Sequence, residues 1–209
     1  MKLFNYIFTD LDGPILDGKY KHYNCYKDII TNGGGNAIDI DEYWEMKRNR
    51  VKRDVLLKIS LYGKTYDDYL NEWLAKIEEI KYLDMDLLKP NVIHTLKKWE
   101  KITDNLYLVT ARRKKENLYY QLNNNNLFEL FDKIVCCDFG VVNSKYMSLK
   151  NISIDKYRGV FIGDTEEDMN TAELLQIKSI AITNGLREKK YLKANYYYDE
   201  IKDINISRC

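Results

Sequence analysis

The 209-residue chain predicts an α/β fold, a doubly wound and mostly parallel sheet with a helical insertion. Three observations predict it. Short apolar runs recur at residues 3–8, 106–109, 134–137, 160–162, 180–182 and 196–198. Amphipathic stretches separate most of them, and such alternation favours parallel strands joined by helical crossovers. Carboxylates stand where two runs end, Asp10 and Asp12 after the first and Asp164 after the fourth. In open α/β sheets, ligands bind in the crevice beyond the carboxyl ends of the strands.

The first run, Leu3-Phe4-Asn5-Tyr6-Ile7-Phe8-Thr9, is apolar enough for a buried strand, and Gly13 releases the backbone after it. From Leu16 to about Leu87 no run has comparable strength. Helical patterns take its place at 43–47, 55–59 and 69–74, with Gly33-Gly34-Gly35 as a turn. The expected organisation is therefore an α/β core from residues 1–15 and 86–209, with a helical unit at 16–85. Lys89-Pro90 marks the return, and Pro90 is placed in the first turn of a helix. Strand, helix and polar turn follow at 106–109, 116–122 and 123–126. The remaining strands are 134–137, 160–162 and 180–182, with a helix at 169–175, and Tyr196, Tyr197 and Tyr198 form an aromatic strand.

Charge is nearly balanced, 33 basic against 32 acidic residues, a net +1. Nothing in that draws the chain to nucleic acid or to an anionic membrane. Cys25, Cys136, Cys137 and Cys209 show no CxxC spacing and are read as reduced thiols. The N-terminus lacks a signal-like pattern, so the expected location is cytoplasmic. No stretch approaches the roughly 20 apolar residues of a membrane helix. The 18 tyrosines are read as compositional bias.

Asp10 and Asp12, two positions apart, can face one ligand. A carboxylate can act as a nucleophile toward phosphorus, and a second can protonate the leaving oxygen and then activate water. A unit charge pair at about 4 Å and an effective dielectric of about 20 is worth about 4 kcal/mol. A carboxylate meeting a phosphate dianion thus faces roughly 8 kcal/mol, or about six decades in rate. A cation must cancel much of this, and Asp164 can help hold Mg²⁺. Simpler readings stand beside these. Asp12-Gly13 is also a turn signal, Thr110 is also a helix N-cap, and Thr165-Glu166-Glu167-Asp168 is also a capping box opening the next helix. His22 and His94 are isolated, and neither a GxSxG elbow nor a GxGxxG loop occurs.

Taken in order, these residues resemble the haloacid dehalogenase superfamily. The first motif is Phe8-Thr9-Asp10-Leu11-Asp12-Gly13 and the second Leu108-Val109-Thr110. The third is a lysine, Lys145 in Asn143-Ser144-Lys145 or Lys150, and the fourth is Gly163-Asp164-Thr165-Glu166-Glu167-Asp168. The resemblance implies a Rossmann-like core with a helical cap, as in phosphoglycolate phosphatase-like members. It implies Asp10 as nucleophile and metal ligand, and Asp12 as general acid/base with its carbonyl on Mg²⁺. It also implies Thr110 and Lys145 on the phosphoryl oxygens, Asp164 on the metal, and Asp168 on the metal or its water. Asp12 favours phosphoryl transfer over carbon–halogen cleavage. Pro14 departs from the family's usual Thr or Val.

The expected function is a Mg²⁺-dependent phosphatase acting on a small phosphorylated metabolite through an aspartyl-phosphate, as a monomer or homodimer. A phosphomutase of the same fold and a non-catalytic phosphate sensor are the alternatives. Arg112 and Arg113, and the cluster Lys47, Arg48, Arg50, Lys52 and Arg53, are either solvated cations or grips for a further anionic group. Arg112 is taken as substrate-binding.

Overall fold

The computed structural model describes residues 2–206. Cys209 lies outside the described residues. The chain forms two compact units, one running up to Asp17 and resuming at Leu88, the other spanning Gly18–Leu87. These divisions fall two residues later than the sequence places them at each end.

The first unit is built on six parallel strands. They are β1 (Phe4–Thr9), β4 (Thr103–Ala111), β5 (Lys133–Cys137), β6 (Gly159–Gly163), β7 (Lys178–Ile182) and β8 (Tyr196–Tyr198). Their spatial order is β5-β4-β1-β6-β7-β8. Thr9 of β1 is in register with Leu108 on one side and Ile162 on the other. Two short strands, β2 (Leu16–Asp17) and β3 (Leu87–Leu88), mark where the chain leaves and rejoins this unit.

Burial on both faces explains why the four inner strands β4, β1, β6 and β7 read as apolar runs. Ile7, Leu106, Leu108, Val160 and Ile162 face one core, which is completed by α6 (Val92–Ile102) and α7 (Lys115–Asn124). Phe8, Val109 and Phe161 face the other, completed by α8 (Ser144–Leu149) and α9 (Glu166–Leu174). Burying a residue such as Leu108 is worth about 1.5–3 kcal/mol, so the central strands carry much of the stability.

Two local expectations need correction. Pro90 is not in the first turn of α6. The helix begins at Val92, after Asn91 caps it in the left-handed region at φ 60°. Proline disfavours helical geometry in the residue before it, and here it ends the incoming loop. Thr110 is not an N-cap either. It lies within β4, and Lys114 precedes α7.

The second unit contains α1 (Lys19–Asn32), α2 (Ile40–Arg48), α3 (Arg53–Ile59), α4 (Tyr66–Lys76) and α5 (Ile80–Leu83). Its core is rich in tyrosine, with Tyr26, Tyr43, Tyr69 and Tyr82 packed around Cys25, Ile29, Ile30 and Trp73. The Tyr26 hydroxyl pairs with Ser60 Oγ at 2.6 Å, and that of Tyr82 donates to Asp28 at 2.7 Å. Helix α1 eluded the sequence pattern because Lys21 occupies one of its buried positions. The lysine's Nζ lies 2.6 Å from Asp86 Oδ2. Within the basic cluster, Lys47 and Arg53 lie over the Trp73 ring, while Arg50 and Lys52 are exposed. No helix among the described residues is long and apolar enough to cross a membrane.

Candidate active site

Strand order decides where the acidic residues gather. The chain runs from β1 to β4 on one side and later to β6 on the other, so the strand order reverses beside β1. Ligands of doubly wound sheets bind at such a switch point. Asp10 follows β1, Thr110 is the penultimate residue of β4, and Asp164 follows β6, all at the carboxyl ends of the strands.

Asp10 is 6 % exposed and Asp164 1 %. The Asp10 N–H continues the ladder to Ile162 O at 2.9 Å, while its Oδ1 accepts the Leu11 N–H at 2.7 Å. Oδ2 of Asp10 lies 2.7 Å from Lys145 Nζ. The same ammonium is 2.6 Å from Asp168 Oδ1. Asp168 Oδ2 then accepts from the Asp164 N–H at 3.1 Å, the Thr165 N–H at 3.0 Å and the Thr165 hydroxyl at 2.6 Å. The capping contact expected at Thr165 and Asp168 is thus present, and the capping carboxylate is also part of the acidic cluster. Asp164 Oδ2 accepts the Leu186 N–H at 2.5 Å.

Three glycines make this crowding possible. A Cβ on Gly13 would fall 1.9 Å from Asp164 Oδ2, and Gly13 adopts φ +91°. A Cβ on Gly163 would meet Asp168 Cγ at 2.2 Å, and one on Gly185 would meet Asp164 Oδ2 at 2.3 Å. The backbone is wrapped so closely around the carboxylates that no side chain fits. Pro14 sits inside this turn without loss, because the closing bonds come from its neighbours. Gly13 N–H reaches Leu16 O at 2.8 Å and Leu16 N–H reaches Leu11 O at 2.9 Å.

Burial sets the electrostatics. It pushes the Asp10 carboxyl up to about 7, with Asp168 and Asp12 adding repulsion and Lys145 opposing the rise. Burial also raises Asp164 well above the carboxylate range, with repulsion from Asp168 and Asp10 adding to it. For Lys145, burial disfavours the charged form, but Asp10 and Asp168 outweigh it and keep the ammonium protonated.

Asp10, Asp164 and Asp168 offer oxygen atoms within 4.8 Å of one another. Buried, hard, anionic and unable to ionise together comfortably, this donor set fits a divalent cation of the Mg²⁺ type. The carboxylate of Asp12 is not in that group. Its Oδ2 is bonded by Arg112 Nη1. Thr110 is buried at the end of β4, in register with Cys136. Of the two candidate lysines, Lys145 enters the cluster, while Lys150 is exposed after α8. Arg113 is exposed.

The sequence places Arg112 as a substrate ligand and gives no sign of its contact with Asp12. Gly185 and the Leu186 N–H, in a stretch that resembles the tail of haloacid dehalogenase-like domains, had no site role assigned from the sequence. For Gly185 the Asn184-Gly185 turn pair was the available signal.

Comparison with known proteins agrees with this architecture. The family model described as haloacid dehalogenase-like hydrolase matches residues 6–182, and the chain belongs to that family. A structure described as a predicted phosphoglycolate phosphatase from Haemophilus somnus aligns with TM-score 0.73 at 16 % identity, covering 97 % of each chain. A haloacid dehalogenase-like hydrolase from Streptococcus pneumoniae aligns with TM-score 0.67 at 20 % identity, also over 97 % of each. The HAD-hydrolase YfnB of Bacillus subtilis, bound to magnesium, aligns with TM-score 0.66 at 13 % identity over 96 % of each. No curated protein matches the sequence.

Proposed function

We propose that this protein is a Mg²⁺-dependent phosphatase that hydrolyses a small phosphorylated metabolite through an aspartyl-phosphate on Asp10. The observation that carries the reading is the Asp10–Lys145 contact inside a buried acidic cluster at the sheet's switch point. A carboxylate held there by one cation, beside a place for a second, can approach a phosphate dianion.

In the first half-reaction an Asp10 oxygen bonds to phosphorus while the bond to the ester oxygen breaks. Asp12 gives its proton to that departing oxygen. In the second, Asp12 takes a proton from water as the water oxygen attacks phosphorus. The Asp10–phosphorus bond breaks, and inorganic phosphate leaves. Lys145 and the Thr110 hydroxyl would hold the phosphoryl oxygens. Asp10, Asp164 and the Asp12 carbonyl would hold Mg²⁺, which supplies positive charge against the phosphate oxygens. Asp168, bonded to Lys145 and to the Asp164 N–H, would join these ligands or orient the metal's water. The phosphatase-named and magnesium-bound relatives support the reaction class and the metal. The inserted helical unit is read as the family's cap, and the free thiols of Cys25, Cys136 and Cys137 accord with a reducing, cytoplasmic setting.

Phosphate release from p-nitrophenyl phosphate, with Mg²⁺ and with EDTA, tests the reading against an Asp10→Asn variant. Turnover that needs Mg²⁺ and vanishes in Asp10→Asn supports it. Turnover that survives Asp10→Asn removes the covalent route. If a metabolite panel also gives no phosphate release, formation of a stable phosphoenzyme would point to a mutase, and its absence to a phosphate sensor.

A further inference from the structure

We infer that Arg112 is a positioning residue that holds the Asp12 carboxylate out of the metal cluster, keeping the proton-transferring group and the metal ligands apart. The role of Asp12 rests on the phosphatase reading; the separation rests on geometry.

Asp10 and Asp12 lie two residues apart just past one strand. A divalent cation with hard-ligand preferences takes up the carboxylates that can reach it. A second carboxylate drawn to the metal could no longer carry a proton to the leaving group. Something must sort the two, and in the structure two different cations do so. Lys145 holds Asp10 within the cluster it forms with Asp164 and Asp168. Arg112 bonds the carboxylate of Asp12, which is absent from that cluster.

Arg112 is itself anchored. Its backbone N–H reaches Cys137 O at 3.3 Å, extending the pairing of β4 with β5 by one residue. Nη1 also donates to the Ala111 carbonyl at 3.2 Å. The side chain is only 9 % exposed. A guanidinium fixed to the sheet in this way restrains Asp12 from following Asp10 toward a cation. Arg113, next in the chain, is exposed.

A substrate ligand and a positioning residue leave different marks. Loss of a substrate ligand raises KM, whereas loss of a positioning residue lowers kcat and, here, changes metal binding without substrate. The test measures Mg²⁺ affinity by calorimetry, and kcat and KM on p-nitrophenyl phosphate, for the parent, Arg112→Ala, Arg112→Lys, Asp12→Asn and Asp12→Asn/Arg112→Ala.

The expected result is Mg²⁺ binding about tenfold tighter in Arg112→Ala, as a further carboxylate becomes available. Its kcat should fall about 10²-fold, in the range of a lost general acid/base, with KM within about threefold. The double variant should bind Mg²⁺ like Asp12→Asn alone. Arg112→Lys should recover part of kcat, because a single cationic contact suffices. Unchanged Mg²⁺ affinity in a folded Arg112→Ala overturns the inference, as does a raised KM with kcat intact. If Arg112→Ala fails to fold, Arg112→Lys and Arg112→Gln take its place, with looser Asp12 restraint again read as tighter Mg²⁺ binding. A parent that binds Mg²⁺ but releases no phosphate from p-nitrophenyl phosphate or from the metabolite panel defeats the phosphatase reading alone, and the calorimetric series still decides the separation.

Discussion

Nζ of Lys145 lies 2.7 Å from Oδ2 of Asp10, and both side chains are almost wholly buried. This ammonium is also bonded to Asp168, so one charge serves two carboxylates. Removing it leaves buried anions without compensation. Lys145→Met should therefore cost about 3–5 kcal/mol of metal-free stability. Its kcat should fall about 10²–10³-fold, the scale of one lost charge-stabilising donor. Lys150→Met, at an exposed position, should stay within about 0.5 kcal/mol of the parent. Urea unfolding and steady-state kinetics on both variants check this. Equal effects at the two lysines would reverse the choice between them.

A metal-free pH series follows from the cluster's burial. The Asp10 carboxyl rises from its ordinary 3.8 to about 7 in the folded chain. Between those values the native state binds more protons than the unfolded state, so this group's contribution to stability falls as pH rises. The contribution is intact below about pH 4 and lost through pH 7. Asp164, raised in the same sense by burial, adds to the trend. If the cluster holds Mg²⁺ as proposed, the metal favours the ionised carboxylates and should reverse the slope over this window. Thermal melts in EDTA and in Mg²⁺ from pH 4.5 to 7.5 would show it. Identical slopes with and without Mg²⁺ would count against the cluster as a metal site.

The glycine collar gives a packing prediction. At Gly163 an added methyl meets Asp168 Cγ at 2.2 Å. Gly163→Ala should destabilise by about 1–3 kcal/mol through overpacking. Gly13→Ala should do at least as much, since its φ of +91° adds backbone strain to the 1.9 Å clash with Asp164. Both should weaken Mg²⁺ binding, because the displaced groups are the proposed ligands or their supports. Gly34→Ala is the control: φ is +79° there too, but nothing lies within 4 Å of the new methyl. It should cost stability and leave Mg²⁺ affinity unchanged. Calorimetry and melts separate strain from site damage, and weakened Mg²⁺ binding in Gly34→Ala would refute the local explanation.

These residues also show what a sequence can disclose. The four inner strands β4, β1, β6 and β7 were legible because burial leaves long apolar runs. The part-exposed edge strands β5 and β8 were legible because theirs are short runs of β-branched or aromatic residues. Asp10, Thr110 and Asp164 were legible because each ends such a run. The pairing of Arg112 with Asp12 was not, since it depends on β1 and β4 lying side by side with Thr9 opposite Leu108. Helix α1 was hidden for a similar reason. Lys21 reads as a solvated residue until its partner, 65 residues away, is known.

That partner, Asp86, supplies the last prediction. Lys21 and Asp86 pair at 2.6 Å with side chains 4 % and 0 % exposed, tying α1 to the far end of the second unit. Burying two charges is expensive, and their attraction compensates only while both are present. Lys21→Met should thus cost about 3–5 kcal/mol, because it strands the carboxylate. Lys21→Met/Asp86→Leu should recover most of that loss, since an apolar pair needs no compensation. Unfolding is best followed in a Trp99→Phe background, where fluorescence reports only Trp44 and Trp73 of this unit. Additive single effects would mean that the two charges do not stabilise one another. Strong coupling would identify the pair as the contact that closes the unit's two ends.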